Sequence, residues 1–413
     1  MLKNYVKLAW RVLWRRPFFT LTSLFGISLT LVVLMVATAM LDHTFAPMAP
    51  EVRQDRTLYV IRARMSGERM QTKSMPGYRL LDSYARGLPG VERMAIFAMP
   101  RMVYSYHNGQ RIRSLIKRTD AEYWRVLDFH FLEGGPFTDQ DVANASFVAI
   151  INASTRDRFF GGPPAVGRTF EADGLRFRVI GVVPDVPILR LVANGDIYAP
   201  VTTAKTDAYR RELMGGFGGI LLARSTADFP AIKAELETRI RAVPLPGSQW
   251  KSLNAPAESF FEFVAGQMFG GRNEERSHPE RLWAALVTAM FLFCLLPAVN
   301  LVNLNTSRIM ERSSEIGVRK AFGASSRTLV GQFIVENIVL TLIGGAAGLV
   351  LSALVLRAVN ASGLIPYAQF VMNPRVFAYG LGLALFFGLL SGVYPAWRMS
   401  RLHPVLALKG TAR

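Results

Sequence analysis

The feature that most constrains the fold is a stretch of 24 residues without a charged side chain, at positions 18–41. A helix of about 20 apolar residues is long enough to cross the hydrocarbon core of a bilayer. A cleaved signal peptide is the competing interpretation, but its apolar region is shorter than this stretch. We therefore predict that residues 18–41 form an uncleaved first transmembrane helix.

Three further apolar segments predict three more transmembrane helices, at residues 282–305, 333–359 and 374–396. Ahead of all four helices, residues 1–17 place basic and apolar side chains at helical spacing. Such a pattern predicts an amphipathic helix that lies on the membrane surface. The chain is thus predicted to be a multi-pass membrane protein.

Two of these segments contain the pattern G-x-x-x-G, as Gly344 with Gly348 and as Gly388 with Gly392. This spacing lets membrane helices approach each other closely. It serves packing within one subunit as well as a seam between two subunits, and we favour packing within one subunit. Glu336 lies in the segment 333–359, two residues before its uncharged run 338–356, and we expect it to snorkel or to form an ion pair near the cytoplasmic surface rather than to bind an ion.

The placement of charge predicts the orientation of the chain in the membrane. Residues 42–280 hold 31 basic and 27 acidic side chains, whereas the rest of the chain holds 17 basic and 3 acidic ones. This basic excess lies in residues 1–17, 306–332 and 397–413, which the positive-inside rule assigns to the cytoplasm. A nucleic-acid-binding protein is the usual alternative for so basic a chain, but here the charges flank apolar spans, and a pattern of basic groups with interleaved stacking aromatics is not evident.

The long segment 42–280 is predicted to be a periplasmic α+β domain inserted between helices 1 and 2. Asn108-Gly109 and Asp173-Gly174 each separate two strand-like runs and predict hairpin turns. Residues 228–242 predict an amphipathic helix, and the glycine-rich residues 215–219 predict a flexible loop. The only cysteine of the chain, at position 294, excludes an internal disulfide bond and any zinc site built on cysteines.

Residues 308–324 form a charged segment between two apolar spans. Glu315 precedes Arg319 by four residues, the favourable order for an ion pair on one helix. Arg319 and Lys320 would fall in the last turn of that helix, where cations suit the helix dipole, and Gly323 is suited to end it. The pattern predicts a charged helical hairpin at the membrane surface, and the alternative is a solvated loop that merely obeys the positive-inside rule.

A second helix is expected to follow this segment. Ser325 or Ser326 is suited to cap its first turn, and the helix is predicted to run through Phe333.

The amino-acid sequences of these segments resemble those of the MacB/FtsX-type permeases of ABC transporters. The resemblance rests on EIGVRKAFGAS at residues 315–325, followed by QFIVEN, and on the closing YPAWRMSRLHPVLALKG at residues 394–410. At His403 the family usually has an acidic residue. FLEGGPFTD, VAIINASTRDRFFGG, VGRTF and FRVIGVVPDVP, within residues 131–187, are similar to the MacB-type periplasmic core domain.

The resemblance implies that residues 306–332 couple the permease to a cytoplasmic ABC ATPase. It assigns this coupling to Arg308, Glu311, Arg312, Glu315, Ile316, Arg319, Lys320, Ala321, Phe322, Gly323 and Ala324. It further implies a second permease subunit, identical or a sister chain, and a periplasmic adaptor protein as another candidate partner.

Motifs for other chemistry are absent from the sequence. There is no G-x-x-x-x-G-K-[ST] loop for nucleotide phosphates, no G-x-S-x-G nucleophile motif and no H-E-x-x-H metal motif. We therefore expect no catalytic, cofactor-binding or metal-binding residues in this chain, with ATP bound by the partner subunit. Nucleic acid is not an expected partner.

These observations predict a permease subunit in the bacterial inner membrane, with both termini cytoplasmic. The resemblance implies mechanotransmission, in which a separate ATPase drives movement of the periplasmic domain for efflux or for lipoprotein release. The alternative is a regulatory membrane module that senses a ligand or activates a cell-wall hydrolase. The sequence leaves open the transported substrate, the identity of the second permease, the use of an outer-membrane partner and the role of residues 201–280.

Overall fold

The computed structural model describes residues 2–311 except 16, 108–109 and 271–276, and then residues 318, 322, 325–363, 367 and 370–400. The chain divides into two compact units. The helical unit comprises Met1–Asp42, Trp283–Leu364 and Gln369–Arg413, and the sheet unit comprises His43–Leu282 with Ile365–Ala368.

The described helices are α1 (Leu2–Arg15), α2 (Pro17–Phe45), α3 (Tyr78–Leu80), α4 (Glu122–Val126), α5 (Asp139–Ala143), α6 (Ala153–Phe160), α7 (Phe229–Arg241), α8 (Phe260–Phe269), α9 (Pro279–Glu311), α10 (Ser326–Ser362) and α11 (Pro374–Ser400). A single π-helical turn, Leu81–Ala85, extends α3. All four predicted transmembrane segments therefore coincide with helices.

Two of the described helices contain stretches long and apolar enough to cross a membrane, Thr20–Phe45 and Val330–Ser362. A shorter apolar stretch, Pro374–Phe386, lies in α11. The membrane crossing of α9 and α11 remains a prediction. Helix α1 buries Ala9 and exposes Lys7, Arg11 and Arg15, as the amphipathic pattern predicts.

Helix α10 joins two predicted segments, the helix through Phe333 and the transmembrane segment 333–359, into one continuous helix. Ser325 caps its first turn by accepting a hydrogen bond from the backbone N–H of Thr328 at 3.2 Å, so the predicted cap is confirmed. The helix then continues to Ser362, because residues 333–338 contain neither the proline nor the glycine that would interrupt it. Gly363 ends the helix in the left-handed conformation, with φ of 63°.

The sheet unit contains fourteen described strands: β1 (Thr57–Val60), β2 (Ala63–Gly67), β3 (Gln71–Pro76), β4 (Val91–Ala98), β5 (Arg101–His107), β6 (Gln110–Thr119), β7 (Glu133–Gly134), β8 (Val148–Asn152), β9 (Thr169–Ala172), β10 (Leu175–Val183), β11 (Ile197–Pro200), β12 (Met214–Gly215), β13 (Phe217–Ala223) and β14 (Trp250–Asn254). Ten of them form a mixed sheet in the order β1-β13-β4-β6-β11-β8-β10-β7, with β5 beside β6 and β9 beside β10. The other four form a second sheet in the order β12-β3-β2-β14.

The local predictions for this unit are largely confirmed. Strands β9 and β10 pair through a turn in which Asp173 and Gly174 have φ of 57° and 71°, the sign that a two-residue hairpin turn requires. Strands β5 and β6 also form a hairpin, although its turn residues lie outside the described part of the chain. Helix α7 buries Ile232, Leu236 and Ile240 along one face, as its periodicity predicts.

The prediction of a flexible loop at residues 215–219 is wrong. Most of this run belongs to β13, which pairs with both β1 and β4 inside the ten-stranded sheet. Gly218 is needed there because the ring of Phe97 lies against its backbone, and an added Cβ would come within 2.5 Å of that ring. A glycine in a strand marks such a close approach as often as it marks a loop.

We predict that Gly218→Ala lowers the free energy of unfolding by about 1–3 kcal/mol, the typical cost of forcing a methyl group into a packed core. Gly216→Ala is the matched control, because nothing lies within 4 Å of the position of its added Cβ. The measurement is thermal unfolding of the purified chain in detergent. Equal stability of the two variants would contradict the packing of Phe97 on β13.

Candidate coupling site

The predicted coupling segment is described only in part. Arg308 and Glu311 lie in the last turns of α9, where the structure describes the backbone but not the side chains. The other predicted coupling residues, apart from Phe322, lie outside the described part of the chain: Arg312, Glu315, Ile316, Arg319, Lys320, Ala321, Gly323 and Ala324. The ion pair between Glu315 and Arg319 therefore stays a prediction.

Phe322 is the coupling residue whose surroundings the structure describes. Its backbone N–H donates a hydrogen bond to the carbonyl of Val318 at 3.1 Å, the i to i−4 spacing of a helical turn. Its side chain is 88% exposed. An aromatic side chain of this size, presented to solvent beside the capped start of α10, is suited to anchor a protein partner.

The predicted role of Gly344 and Gly348 in helix packing has a specific geometry. A Cβ added to Gly344 would lie 2.9 Å from the side chain of Ile27, and one added to Gly348 would lie 3.1 Å from that of Leu31. The hydroxyl of Ser28 donates a hydrogen bond to the carbonyl of Gly344 at 3.0 Å. These two glycines therefore seat α10 against α2 of the same chain.

A third helix joins this contact through a glycine that the sequence analysis missed. A Cβ added to Gly380 of α11 would lie 2.7 Å from Leu34 of α2. The analysis missed Gly380 because it lies outside both G-x-x-x-G pairs. Gly388 and Gly392 lie in α11, but their surroundings fall outside what the structure describes, so their packing role stays a prediction.

Glu336 lies inside α10 and is only 3% exposed, and its neighbour Asn337 is 8% exposed. The burial of Glu336 contradicts snorkelling, whereas the alternative expectation, an ion pair, stays a prediction. A carboxylate that is buried among helices needs polar neighbours, because its desolvation would otherwise be costly.

One buried arginine of the sheet unit, Arg190, binds the chain that follows α2. Arg190 is 1% exposed and donates hydrogen bonds to the carboxylate of Glu51 at 3.0 Å and to the side-chain oxygen of Gln54 at 2.8 Å. It also donates to the backbone carbonyl of Ala46 at 2.7 Å, directly after the end of α2. We call these four residues the Arg190 anchor. Burial raises the pKa of Glu51, and the charge of Arg190 opposes this rise.

A buried lysine supports the loop that carries Arg190. Lys117 of β6 is fully buried, and its ammonium group donates to the carbonyls of Leu191, at 3.2 Å, and Val192. It also lies 5.0 Å from the centre of the Phe97 ring, within range of a cation–π interaction. Burial lowers the pKa of Lys117 to about 7, and the charge of Glu51 opposes this shift.

Two tyrosines complete the support of this loop. The hydroxyl of Tyr123 donates to the carbonyl of Val192 at 3.0 Å, and that of Tyr198 donates to the carbonyl of Ala193 at 2.7 Å. The loop therefore has buried polar partners for several of its backbone carbonyls, which fixes its path. The sequence analysis missed the loop, although the apolar residues on both sides of Arg190 indicate that it is buried.

The described residues offer no group of three or more His, Cys, Asp or Glu side chains that could hold a metal ion. Within the described residues, helices pack closely around glycines and the chain after α2 is tied into the sheet unit by Arg190.

Two family descriptions match the chain. Residues 20–239 match the MacB-like periplasmic core domain, and residues 287–404 match the FtsX-like permease C-terminal domain. The first of these matches alone covers more than half of the 413 residues.

Curated relatives carry names of export proteins and permeases. The macrolide export ATP-binding/permease protein MacB of Bdellovibrio bacteriovorus is 25% identical over 66% of this chain and 40% of its own length. The pyoverdine export ATP-binding/permease protein PvdT of Pseudomonas fluorescens is 25% identical over 98% of this chain and 59% of its own length. The chain thus spans about half the length of these two relatives. An uncharacterised ABC transporter permease, YknZ of Bacillus subtilis, is 23% identical over 78% of this chain and 77% of its own length.

Solved structures include weaker matches to the same group. The extracellular domain of YknZ from Gram-positive bacteria covers 44% of this chain and 91% of its own, at 16% identity and a TM-score of 0.35. The periplasmic region of MacB from Actinobacillus actinomycetemcomitans covers 44% of this chain and 83% of its own, also at 16% identity and a TM-score of 0.35.

The buried position of Lys117 predicts a pH dependence of stability. Below pH about 7 the lysine is charged in both the folded and the unfolded chain, and the cost of its burial is present in full. Between that pH and its ordinary pKa of about 10.4, only the unfolded chain holds the proton, so stability rises with pH by up to about 1.4 kcal/mol per pH unit. We expect the free energy of unfolding of Lys117→Met to rise less over this pH range than that of the parent chain, because the variant lacks this ionisable group.

The measurement is the free energy of unfolding across this pH range, compared between the parent chain and each variant. Lys251→Met is the matched control, because the side chain of Lys251 is 61% exposed. A pH slope for Lys117→Met equal to that of the parent chain would show that Lys117 is charged in the folded protein.

Proposed function

The chain belongs to the MacB/FtsX family of ABC transporter permeases, and from this premise we propose that it transmits movement, driven by ATP, to its sheet unit. ATP would be bound outside these 413 residues, by a cytoplasmic ABC ATPase. The sequence itself contains no loop for nucleotide phosphates. The chain would thus be a transporter subunit of the mechanotransmission type.

One observation carries this proposal: two of the passages of the chain between the two units lie inside helices. The first boundary, between Asp42 and His43, falls within α2, and the second, between Leu282 and Trp283, falls within α9. A helix keeps its backbone hydrogen bonds along its whole length, so it transmits a displacement better than a flexible linker does.

The Arg190 anchor supports the same proposal from the sheet unit. A movement of α2 reaches Ala46 within one residue of the helix end, and Ala46 accepts a hydrogen bond from the buried Arg190. Because Arg190 also binds Glu51 and Gln54, such a movement would be shared with the packed loop rather than absorbed by it.

We propose that residues 42–280 lie in the periplasm and that four helices cross the inner membrane, with both termini in the cytoplasm. The clusters of basic residues at the predicted cytoplasmic segments support this orientation. The permease would work with a second permease subunit, identical or a sister chain, and a periplasmic adaptor is a further candidate partner. The export proteins among its relatives favour efflux as the process, without identifying the substrate.

We predict that cysteines introduced at Ser66 and Ser325 react with membrane-impermeant thiol reagents from opposite sides of the membrane. The background is Cys294→Ala, because Cys294 is the only native cysteine. In intact cells the cysteine at position 66 should be labelled, whereas the cysteine at position 325 should react only after the membrane is opened. Labelling of both positions from outside would refute the topology and the proposed function with it.

We predict that Phe322→Ala and Glu315→Lys uncouple the permease from its ATPase. Phe322→Ala removes the exposed aromatic anchor, and Glu315→Lys replaces an attraction to Arg319 with repulsion between like charges. Both variants should still insert into the membrane, yet pull down less ATPase and lose transport-linked ATP hydrolysis by about tenfold or more, as expected for the loss of an interface hot spot.

Phe25→Ala and Glu237→Lys are the matched controls, since both side chains are exposed and neither residue belongs to the segment 308–324. If both test variants pull down the ATPase normally and keep full activity, residues 308–324 are only a solvated loop, and the main support for coupling is lost.

A further inference from the structure

Helix α8 of the sheet unit is apolar along most of its length. Of its ten residues, FFEFVAGQMF, Glu262 alone carries a charge. This carboxylate accepts a hydrogen bond from the backbone N–H of Ser259 at 2.7 Å, which closes a capping box, and another from the ammonium group of Lys233 at 2.7 Å. A helix that is apolar on all sides is normally buried on all sides.

One side of α8 is packed against the rest of the sheet unit. The ring of Phe260 lies 6.2 Å from that of Tyr59 in β1, and Ala265 is fully buried. Gly266 lies so close to the guanidinium of Arg62 that an added Cβ would come within 2.6 Å of it. These contacts fix the orientation of the helix, and therefore decide which side chains face away from the sheet unit.

Phe261, Val264 and Met268 lie on another side of α8, because they are spaced three and four residues apart. We call these three residues the α8 stripe. Phe261 and Val264 are partly buried, whereas Met268 is 65% exposed. Apolar surface that a protein leaves exposed in this way marks a surface for a partner or for a membrane.

The position of α8 next to α2 distinguishes these two occupants. Phe45 is the last residue of α2, and its ring centre lies 5.9 Å from that of Phe260 and 5.5 Å from that of Phe261. The α8 stripe therefore begins beside the end of a helix that is long and apolar enough to cross a membrane.

The length of α2 gives the depth of this contact. Residues 18–41 are uncharged, and their 24 residues cover the hydrocarbon core with an ordinary tilt. Phe45 lies four residues beyond this run, which is about 6 Å along the helix axis. The headgroup layer on each side of the core is roughly 5–8 Å thick. Phe45, and with it the start of the α8 stripe, therefore lies at the level of the lipid headgroups.

We propose that the α8 stripe binds the surface of the bilayer that α2 crosses, with Met268 directed towards the acyl chains. Helices that lie in this layer bury an apolar face at the boundary between headgroups and acyl chains. The membrane contact would fix the orientation of the sheet unit on the bilayer. This inference rests on the membrane crossing of α2, which is part of the proposed topology, and it does not depend on coupling to an ATPase.

The test uses the full chain with Cys294→Ala and Met268→Cys in nanodiscs, with a bimane fluorophore on the introduced cysteine. The lipids carry a nitroxide quencher at the headgroup, at carbon 5 or at carbon 12 of the acyl chain. The headgroup and carbon-5 nitroxides should quench the bimane about twofold or more strongly than the carbon-12 nitroxide, since the hydrocarbon core is ~15 Å deep on each side. Val264→Cys repeats the measurement at a second position of the stripe.

Two further positions serve as controls. Met70 is 50% exposed and follows β2, at the end of this strand opposite to Arg62. Bimane on Met70→Cys should show little quenching by any of the lipids. Leu29 is 48% exposed and lies in the middle of the uncharged run of α2, so Leu29→Cys should be quenched best by the carbon-12 nitroxide. Thermal unfolding of each variant checks that it is folded.

The proposal is overturned if position 268 is quenched no more than position 70 while position 29 is quenched. It is also overturned if aqueous iodide fails to reach position 268 and the lipid nitroxides do not quench it, because a protein surface then covers the stripe. Absence of quenching at position 29 would refute the membrane crossing of α2, and with it both this proposal and the proposed topology. A failure of ATPase coupling alone would leave all these results unchanged.

Discussion

The fold of the sheet unit depends on hydrogen-bond acceptors for the buried guanidinium of Arg190. A buried cation without partners costs several kcal/mol, so the chain after α2 has to bring Ala46, Glu51 and Gln54 to it. The loop that carries Arg190 is in turn held by Lys117 from the ten-stranded sheet. The first segment of the sheet unit and its central sheet are thus joined by buried and partly buried polar contacts, and shifting one of them would leave another unpaired.

The helical unit relies on the opposite device, which is the absence of side chains. Gly344 and Gly348 let α2 approach α10, and Gly380 admits a leucine of α2 into α11. In a bilayer, apolar surface gains little from leaving lipid, so close packing and hydrogen bonds between helices, such as that of Ser28, stabilise the bundle. The two units therefore meet different physical requirements. Helix α2 packs against glycines in the helical unit, and the chain directly after α2 is held by Arg190 in the sheet unit.

The sequence predicted the family, the helices and the Asp173-Gly174 hairpin, because uncharged runs and turn residues are local signals. It also predicted that Gly344 and Gly348 lie at a contact between helices, because G-x-x-x-G is a local pattern too. It could not predict the burial of Arg190 and Lys117, since a single charged residue in a mixed segment is usually on the surface, and only tertiary contacts reveal its partners. The glycine run at residues 215–219 misled the analysis because close packing and flexibility use the same residue.

The length of α10 has a consequence for leverage. Its 37 residues extend for about 55 Å, whereas the hydrocarbon core of a bilayer is about 30 Å thick. Even with an ordinary tilt, several turns of the helix remain outside the lipid tails. Since Ser325 caps the helix and residues 333–338 do not interrupt it, the protruding turns and the embedded ones form one rod. In the proposed coupling, a small rotation of α10 about its contact with α2 at Gly344 would move the start of the helix, next to Phe322, through a larger distance than the residues at the contact.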